Sequence, residues 1–294
     1  FITHDFPVTD IDTDDLNHPD EGDYGDPHDN INQYGIFQYP SEGVLTNNQD
    51  GTYTFNPNDE FDDLRLGASR DVTFQFIATD LDGGSTGLST ITITVTGLNE
   101  DPIASSISDT INEDAEGDDT LSGSVVAYVS DEDAEDNGLP HNNIDASGYS
   151  FSYDSSQGGE FTWEDNGTYS FDPDDDFEDL REGASRDVYA SYTVTDLDGG
   201  SDTETITITV TGDNDAPEGN DDEVSTNQDS SITRAFPVTD IDTDDLNHPN
   251  QGEYGNPHDN IDHEQYSITE NPTEGVLTNN QDGTYTFNPN DEFD

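Results

Sequence analysis

The chain has 294 residues, of which 70 are Asp or Glu against five basic residues, for a formal net charge of −65 at pH 7. All five bases are arginines (Arg65, Arg70, Arg181, Arg186, Arg234), and Lys, Cys and Met are absent. Such a charge excludes nucleic acid and anionic membranes as partners, and neither a disulfide nor a Lys–Asn isopeptide bond can brace the fold.

No apolar run approaches the length that spans a membrane, and no signal peptide opens the chain. Two readings of the acidity stand. The acids hold cations, or they solvate a protein that lives in high salt. Hydrophobic residues make up only 28% of the chain, which alone suggests disorder, yet 14 Phe and 13 Tyr recur at regular spacings.

The first element met is VTDIDTDD at 8–15, which returns at 238–245. A long loop, 16–33, follows it, with Tyr24 and His28; its counterpart is 246–263, with Tyr254 and His258. Asp50-Gly51 marks a tight hairpin, because Gly and Asp tolerate positive φ. The same turn recurs at Asn166-Gly167 and Asp282-Gly283, and the three glycines stand 116 residues apart each time. FDDLRLGASRDV at 61–72 recurs as FEDLREGASRDV at 177–188. Phe61, Leu64 and Gly67, with Phe177, Leu180 and Gly183, are expected to plug the crossing between two sheets. Strand 71–79 puts Val72, Phe74, Phe76 and Ala78 on one face; strand 187–195 does so with Val188, Ala190, Tyr192 and Val194. ATDLDGGS at 78–85 recurs as VTDLDGGS at 194–201. Residues 88–96 and 204–211 alternate Thr with Ile or Val, the period of a half-buried strand. SVVAYVS at 124–130 is read as a further strand, followed by Asp131-Glu132-Asp133.

This is a tandem repeat of order A-B-A. The segments 45–62 and 277–294 are identical. Boundaries follow from the linkers TGLNEDP (96–102) and TGDNDAP (211–217). Residues 1–101 are a type A repeat without its first strand, 102–216 a complete type B repeat, and 217–294 a type A repeat that stops before the strands matching 71–96. The chain is expected to be a window on a longer array. About seven strands per repeat, with no helical pattern, predict an all-β tandem array of cadherin-like or immunoglobulin-like sandwiches.

The dense acidic motifs fall at strand ends, where a sandwich gathers its loops. Asp-x-Asp in a loop places two carboxylates on one side of the backbone, and Ca²⁺ takes six to eight oxygen ligands. Softer metals prefer Cys or His. Asp14 and Asp15 are read as solvating acids, His28, His141 and His258 as loop residues, and Asn166 of the Asn-Gly-Thr sequon as a turn residue. Acidic pairs that repeat do not suggest a glycosidase, since catalytic sites are singular; the chain is read as no enzyme.

VTDID…HDNINQYGI resembles the cadherin stretch V-x-A-x-D-A-D…N-A-x-I-x-Y with an insertion. ATDLDGGSTGLSTITITVTGLNEDP resembles its closing stretch, which ends D-x-N-D-N-x-P. INEDAEGDDTLSGSVVAYVSDEDAED and GTYSFDPDDDF resemble the VCBS-type repeats of giant bacterial surface adhesins, in the manner of an RTX-adhesin extender region, although the glycine-rich nonapeptide motif is absent. Together these resemblances cover the chain. They imply calcium shared between linker acids and the top of the next repeat. At the first junction the ligands would be Asn99, Glu100, Asp101, Asp131, Asp133, Asn143 and Asp198. At the second they would be Asp213, Asn214, Asp215, Asp240, Asp242 and Asn260. Asp10, Asp12, Asn30 and Asp82 are the first repeat's counterparts. Glu113 resembles the first-strand glutamate, and Glu182 a further one, where type A has Leu66.

The implied role is a calcium-rigidified extender or filament segment of an extracellular bacterial adhesin or matrix protein. Its partners would be neighbouring repeats and like chains in a fibre. Two rivals stand beside it: a glycan- or surface-binding module acting through loops 16–33 and 246–263, and an acidic halophile surface-layer protein.

Overall fold

The computed structural model describes residues 1–10, 31–115, 120–133, 143–242, 261–262 and 265–290. The chain groups into two compact units. One comprises Phe1–Ala104, Val129–Tyr149 and Thr193–Thr203; the other comprises Ser105–Tyr128, Ser150–Tyr192 and Glu204–Asp294. Loops 16–30 and 246–260 lie outside the described residues.

In the first unit, Ile2–Asp5, Thr52–Asn56 and Val44–Asn47 form one antiparallel sheet, and Ile31–Gln38, Ser69–Asp80 and Ser89–Thr96 form another. The reason is the period of two. Val72, Phe74, Phe76 and Ala78 all point inward and are at most 3% exposed. They meet Phe6, Tyr53, Phe55 and Ile93 in one cluster that Phe61 and Leu64 close. The hairpin at Asp50-Gly51 forms as its residues require. Gly51 takes φ +87°, and Asp50 Oδ1 accepts from the Thr52 amide at 3.0 Å.

Among the described residues of the middle repeat, seven strands form two sheets, and two further two-residue strands, Ile103–Ala104 and Val129–Ser130, pair with each other. A four-stranded sheet runs in the order Ile144–Tyr153, Ser185–Asp196, Ser201–Thr211, Ile107–Asn112; a three-stranded sheet runs Glu160–Trp163, Thr168–Asp172, Leu121–Ser124. Val188, Ala190, Tyr192, Val194, Ile206, Ile208 and Val210 fill the core, with Phe177 and Leu180 fully buried against it. The first strand pairs parallel to the last, Ile107 opposite Ile206 through Asn112 opposite Thr211. This pairing carries the two strand ends, and the acids just beyond them, to the same pole.

One expected strand is broken. SVVAYVS is not continuous: Leu121–Ser124 ends as strand, Val125–Tyr128 makes a 3-10 turn, and only Val129–Ser130 resumes pairing, with Ile103–Ala104. The turn is where the chain leaves one sheet for its next partner. It keeps Val125 and Val129 buried while turning Val126 and Tyr128 out to solvent.

In the second unit, Ile232–Ala235, Thr284–Asn288 and Val276–Asn279 repeat the first sheet of the chain in the same register, Ile232 opposite Phe287 as Ile2 is opposite Phe55. The aromatic packing repeats too. Phe236 stacks on Tyr266 at 4.7 Å, as Phe6 does on Tyr34 at 4.8 Å.

Candidate metal centres at the strand poles

The Asp-x-Asp pairs 131/133, 240/242, 196/198 and 80/82 close on themselves in the same way, whereas at 213/215 the second amide donates to Asp242 instead. The first carboxylate accepts the amide of the second aspartate: Asp131 from Asp133 at 2.9 Å, Asp240 from Asp242 at 3.1 Å, Asp196 from Asp198 at 2.8 Å, and Asp80 from Asp82 at 2.9 Å. This local turn uses one oxygen of the first residue and leaves its other oxygen and the second carboxylate for other partners.

At the first pole four segments meet. The linker supplies Asn99 and Glu100. The Glu100 amide donates to Asp133 Oδ2 at 3.1 Å, and the Asn99 side-chain amide donates to Asp196 Oδ2 at 3.1 Å. Asn143, fully buried, donates to Asp133 Oδ2 at 3.4 Å, while its own carbonyl accepts the Leu197 amide at 2.7 Å. The turn at 196–200 packs closely because Gly200 has no side chain. A Cβ there would run into Asp101 Oδ1, Asp196 Oδ2 and Asn99 Nδ2.

The second pole repeats the arrangement. The Asp215 amide donates to Asp242 Oδ2 at 3.1 Å, the counterpart of Glu100 on Asp133. The parallel first strand adds Glu113, whose Oε1 accepts the Asp213 amide at 2.6 Å.

These acids are buried in each other's company. Asp131, Asp133, Asn143, Asp196, Glu113, Asp240 and Asp242 are all buried. Burial first, then Asp133, Asp62 and Glu132, pushes Glu100 up to about 7. Burial, with Asp133, Asp196 and Asp198 nearby, pushes Asp131 up to about 6, and burial likewise raises Asp133. At the second pole burial lifts Glu113 to about 7, with Glu178, Asp114 and Asp215 adding to it. Burial lifts Asp242 to about 6, helped by Asp240 and Asp215 and opposed by Arg181.

Hydrogen bonding leaves a residue of oxygen atoms. Asn99 Oδ1, Glu100 Oε2, Asp131 Oδ2, Asp133 Oδ1 and Asn143 Oδ1 at the first pole, and Glu113 Oε2 at the second, are buried and accept no hydrogen bond. Each such atom costs free energy unless something positive faces it. All are hard oxygens, carboxylate or amide, the donor type that suits Ca²⁺. Among the described residues, no group of three or more His, Cys, Asp or Glu side chains stands where it could by itself hold a metal ion. The unsatisfied set includes the amide oxygens of Asn99 and Asn143, which lie outside that residue class.

Other expected positions stand apart. Asp82, Glu182, Asp213 and Asn214 are exposed; Asn214 donates to the Asp215 carbonyl at 2.9 Å. Asp101 is exposed, with Oδ1 against Gly200. Asp10 is half-buried. Asp12, Asn30, Asn260, His28, His141 and His258 lie outside the described residues. Asp196 was missed by the sequence reading, which took only the second acid of its pair. Its spacing from Asp198, equal to that of 131 from 133, was the available signal.

No curated protein matches the chain. Among solved structures, the protocadherin gamma B7 extracellular cadherin domains 1–4 are 15% identical with a TM-score of 0.45, covering 87% of this chain and 58% of that one. Drosophila N-cadherin EC1–4 is 19% identical with a TM-score of 0.35, covering 74% and 53%. The human desmocollin-1 ectodomain is 13% identical with a TM-score of 0.35, covering 89% and 46%. The chain thus spans about half the length of each. The middle repeat is an Ig-like β-sandwich, and over residues 99–209 its sequence matches the family described as bacterial Ig domain.

Proposed function

We propose that the chain is a segment of an extracellular array of Ig-like sandwiches, from a bacterial adhesin or matrix fibre, whose repeat junctions are stiffened by calcium. What carries this reading is the repeated pole. At both junctions a linker amide caps the second acid of an Asp-x-Asp pair, beside buried oxygens that accept no hydrogen bond. When bound, calcium would supply the positive charge these oxygens face.

The chain's own residues do the rest. Asp131 and Asp133 at the first junction, and Asp240 and Asp242 at the second, are each held together by their shared turn. Asn99, Glu100, Asn143 and Asp198 complete the first set, with Asp101 at its edge beside Gly200. Glu113 and Asp215 complete the second. Because the linker residues belong to the end of one repeat and the Asp-x-Asp pair to the start of the next, neutralising the cluster ties the two together. Left charged, the same carboxylates repel and loosen the linker. The role is mechanical, with neighbouring repeats as the first partners.

Small-angle scattering on the whole chain tests this at constant ionic strength. The maximum dimension should be larger and better defined in millimolar calcium than in excess chelator. An unchanged distance distribution would sink the calcium-strut reading.

A further inference from the structure

We propose that Arg65 is a resident cation of the first junction, supplying one of the positive charges its carboxylates require. This rests on the calcium reading above and refines it.

Arginine is scarce here and its placement repeats. Four of the five fall in two pairs at matching repeat positions, Arg65 with Arg181 and Arg70 with Arg186. The second pair serves its own repeat. Arg70 pairs with Glu42 at 2.9 Å and with Asp63, over the Phe61 ring; Arg186 pairs with Asp179 at 2.7 Å, over the Phe177 ring. Of the first pair, Arg65 reaches the first pole. Arg65 Nη2 lies 3.3 Å from each carboxylate oxygen of Asp198, a side chain only 13% exposed. Asp198 is one of the charges pressing on Asp131 and Asp133.

The backbone holds this guanidinium in place. A Cβ on Gly97, in the first linker, would meet the carbonyl oxygens of Leu64 and Arg65, and a Cβ on Gly212, in the second linker, those of Leu180 and Arg181. The glycine in each linker therefore lets the arginine-bearing loop press against the strand that leads into the junction. A tethered charge there needs no ion from solution. The first junction would bind fewer calcium ions than its carboxylates alone demand, and would keep a weak link when calcium is withdrawn.

The test is calorimetric calcium titration of the full chain, wild type beside Arg65→Gln, Arg65→Lys and Arg70→Gln, at one ionic strength, with folding checked by circular dichroism. The Arg65 side chain is 31% exposed, so Gln fits its loop without opening the core. Arg65→Gln should bind one more calcium per chain, or the same number about tenfold more tightly. Arg65→Lys and Arg70→Gln should stay near wild type; the latter removes the same charge away from the pole. Identical titrations for Arg65→Gln and wild type would overturn the resident-cation role alone. Equal shifts in Arg65→Gln and Arg70→Gln would overturn it too, as an effect of net charge. A wild type that binds no calcium would overturn the calcium reading and this one with it.

Discussion

Asp131 carries its charge against its surroundings. It is 4% exposed, and burial with three neighbouring aspartates pushes it up to about 6. Without calcium its ionised form strains the fold at pH 7; on the calcium reading proposed above, the same charge would become a ligand. Asp131→Asn should therefore change sign with conditions. In chelator it should stabilise the repeat, by on the order of 1–3 kcal/mol for a shift of that size. In calcium it should destabilise it. Paired melts in the two buffers check this, and a loss of stability in both would remove Asp131 from the site. Glu113 gives the pH counterpart. Its pKa rises from 4.5 to about 7 on folding, so the folded state binds more protons between those values, and stability falls as pH climbs through that window. In chelator the chain should melt higher at pH 5 than at pH 7.5, and Glu113→Gln should flatten part of that slope. In calcium the slope should oppose this, because ligands must lose their protons to bind. Thermal scans across pH, with and without chelator, show whether the two trends diverge.

At the scale of elements, the alternation was legible because period two needs no partner to be seen. Phe74, Phe76, Ile206 and Ile208 read as inward from their spacing and are inward in the fold. The break at Val125–Tyr128 was not legible, since SVVAYVS has strand composition throughout and only the change of pairing partner interrupts it. The first strand of the middle repeat is a similar case. Its parallel pairing depends on contact with residues about a hundred positions away. Tyr192 fastens that strand from the core: its hydroxyl donates to the Ser105 carbonyl at 2.6 Å and accepts the Ser105 amide at 3.1 Å. Tyr192→Phe keeps the ring and takes the hydroxyl from the Ser105 carbonyl, while the Ser105 amide keeps its bond to the Tyr128 carbonyl at 2.9 Å. It should cost about 1–2 kcal/mol in urea unfolding. No measurable change would mean that the strand is held by its ladder alone.

For the whole molecule the governing quantity is the net charge of −65. Salt shortens the reach of that repulsion, from about 10 Å at 0.1 M to about 3 Å at 1 M. In chelator, sodium chloride should raise the melting temperature gradually over that range. Calcium at constant ionic strength should raise it further and saturate, because a ligand that prefers the folded state stabilises by its affinity, roughly 2.7 kcal/mol at a hundredfold excess over Kd. If sodium chloride alone reproduced the whole gain, the acids would serve solvation in high salt, not binding.

The sequence by itself determined the strands, their faces, the hairpin turns, the repeat period and the positions of the acids, because each of these is written in local spacing. It also placed carboxylate and amide oxygens at the strand ends. Only the tertiary structure decided which acids meet. Glu113 and Asp213 are a hundred residues apart and touch because two strands run parallel; Asn99 reaches Asp196 because a glycine at 200 leaves room. Arg65 could not be told from Arg70 by composition or neighbours, yet one reaches a pole and the other stays on its own repeat. Arg65 lies in the loop that packs against the linker and Arg70 in the strand Ser69–Asp80, and long-range packing sets what each one meets.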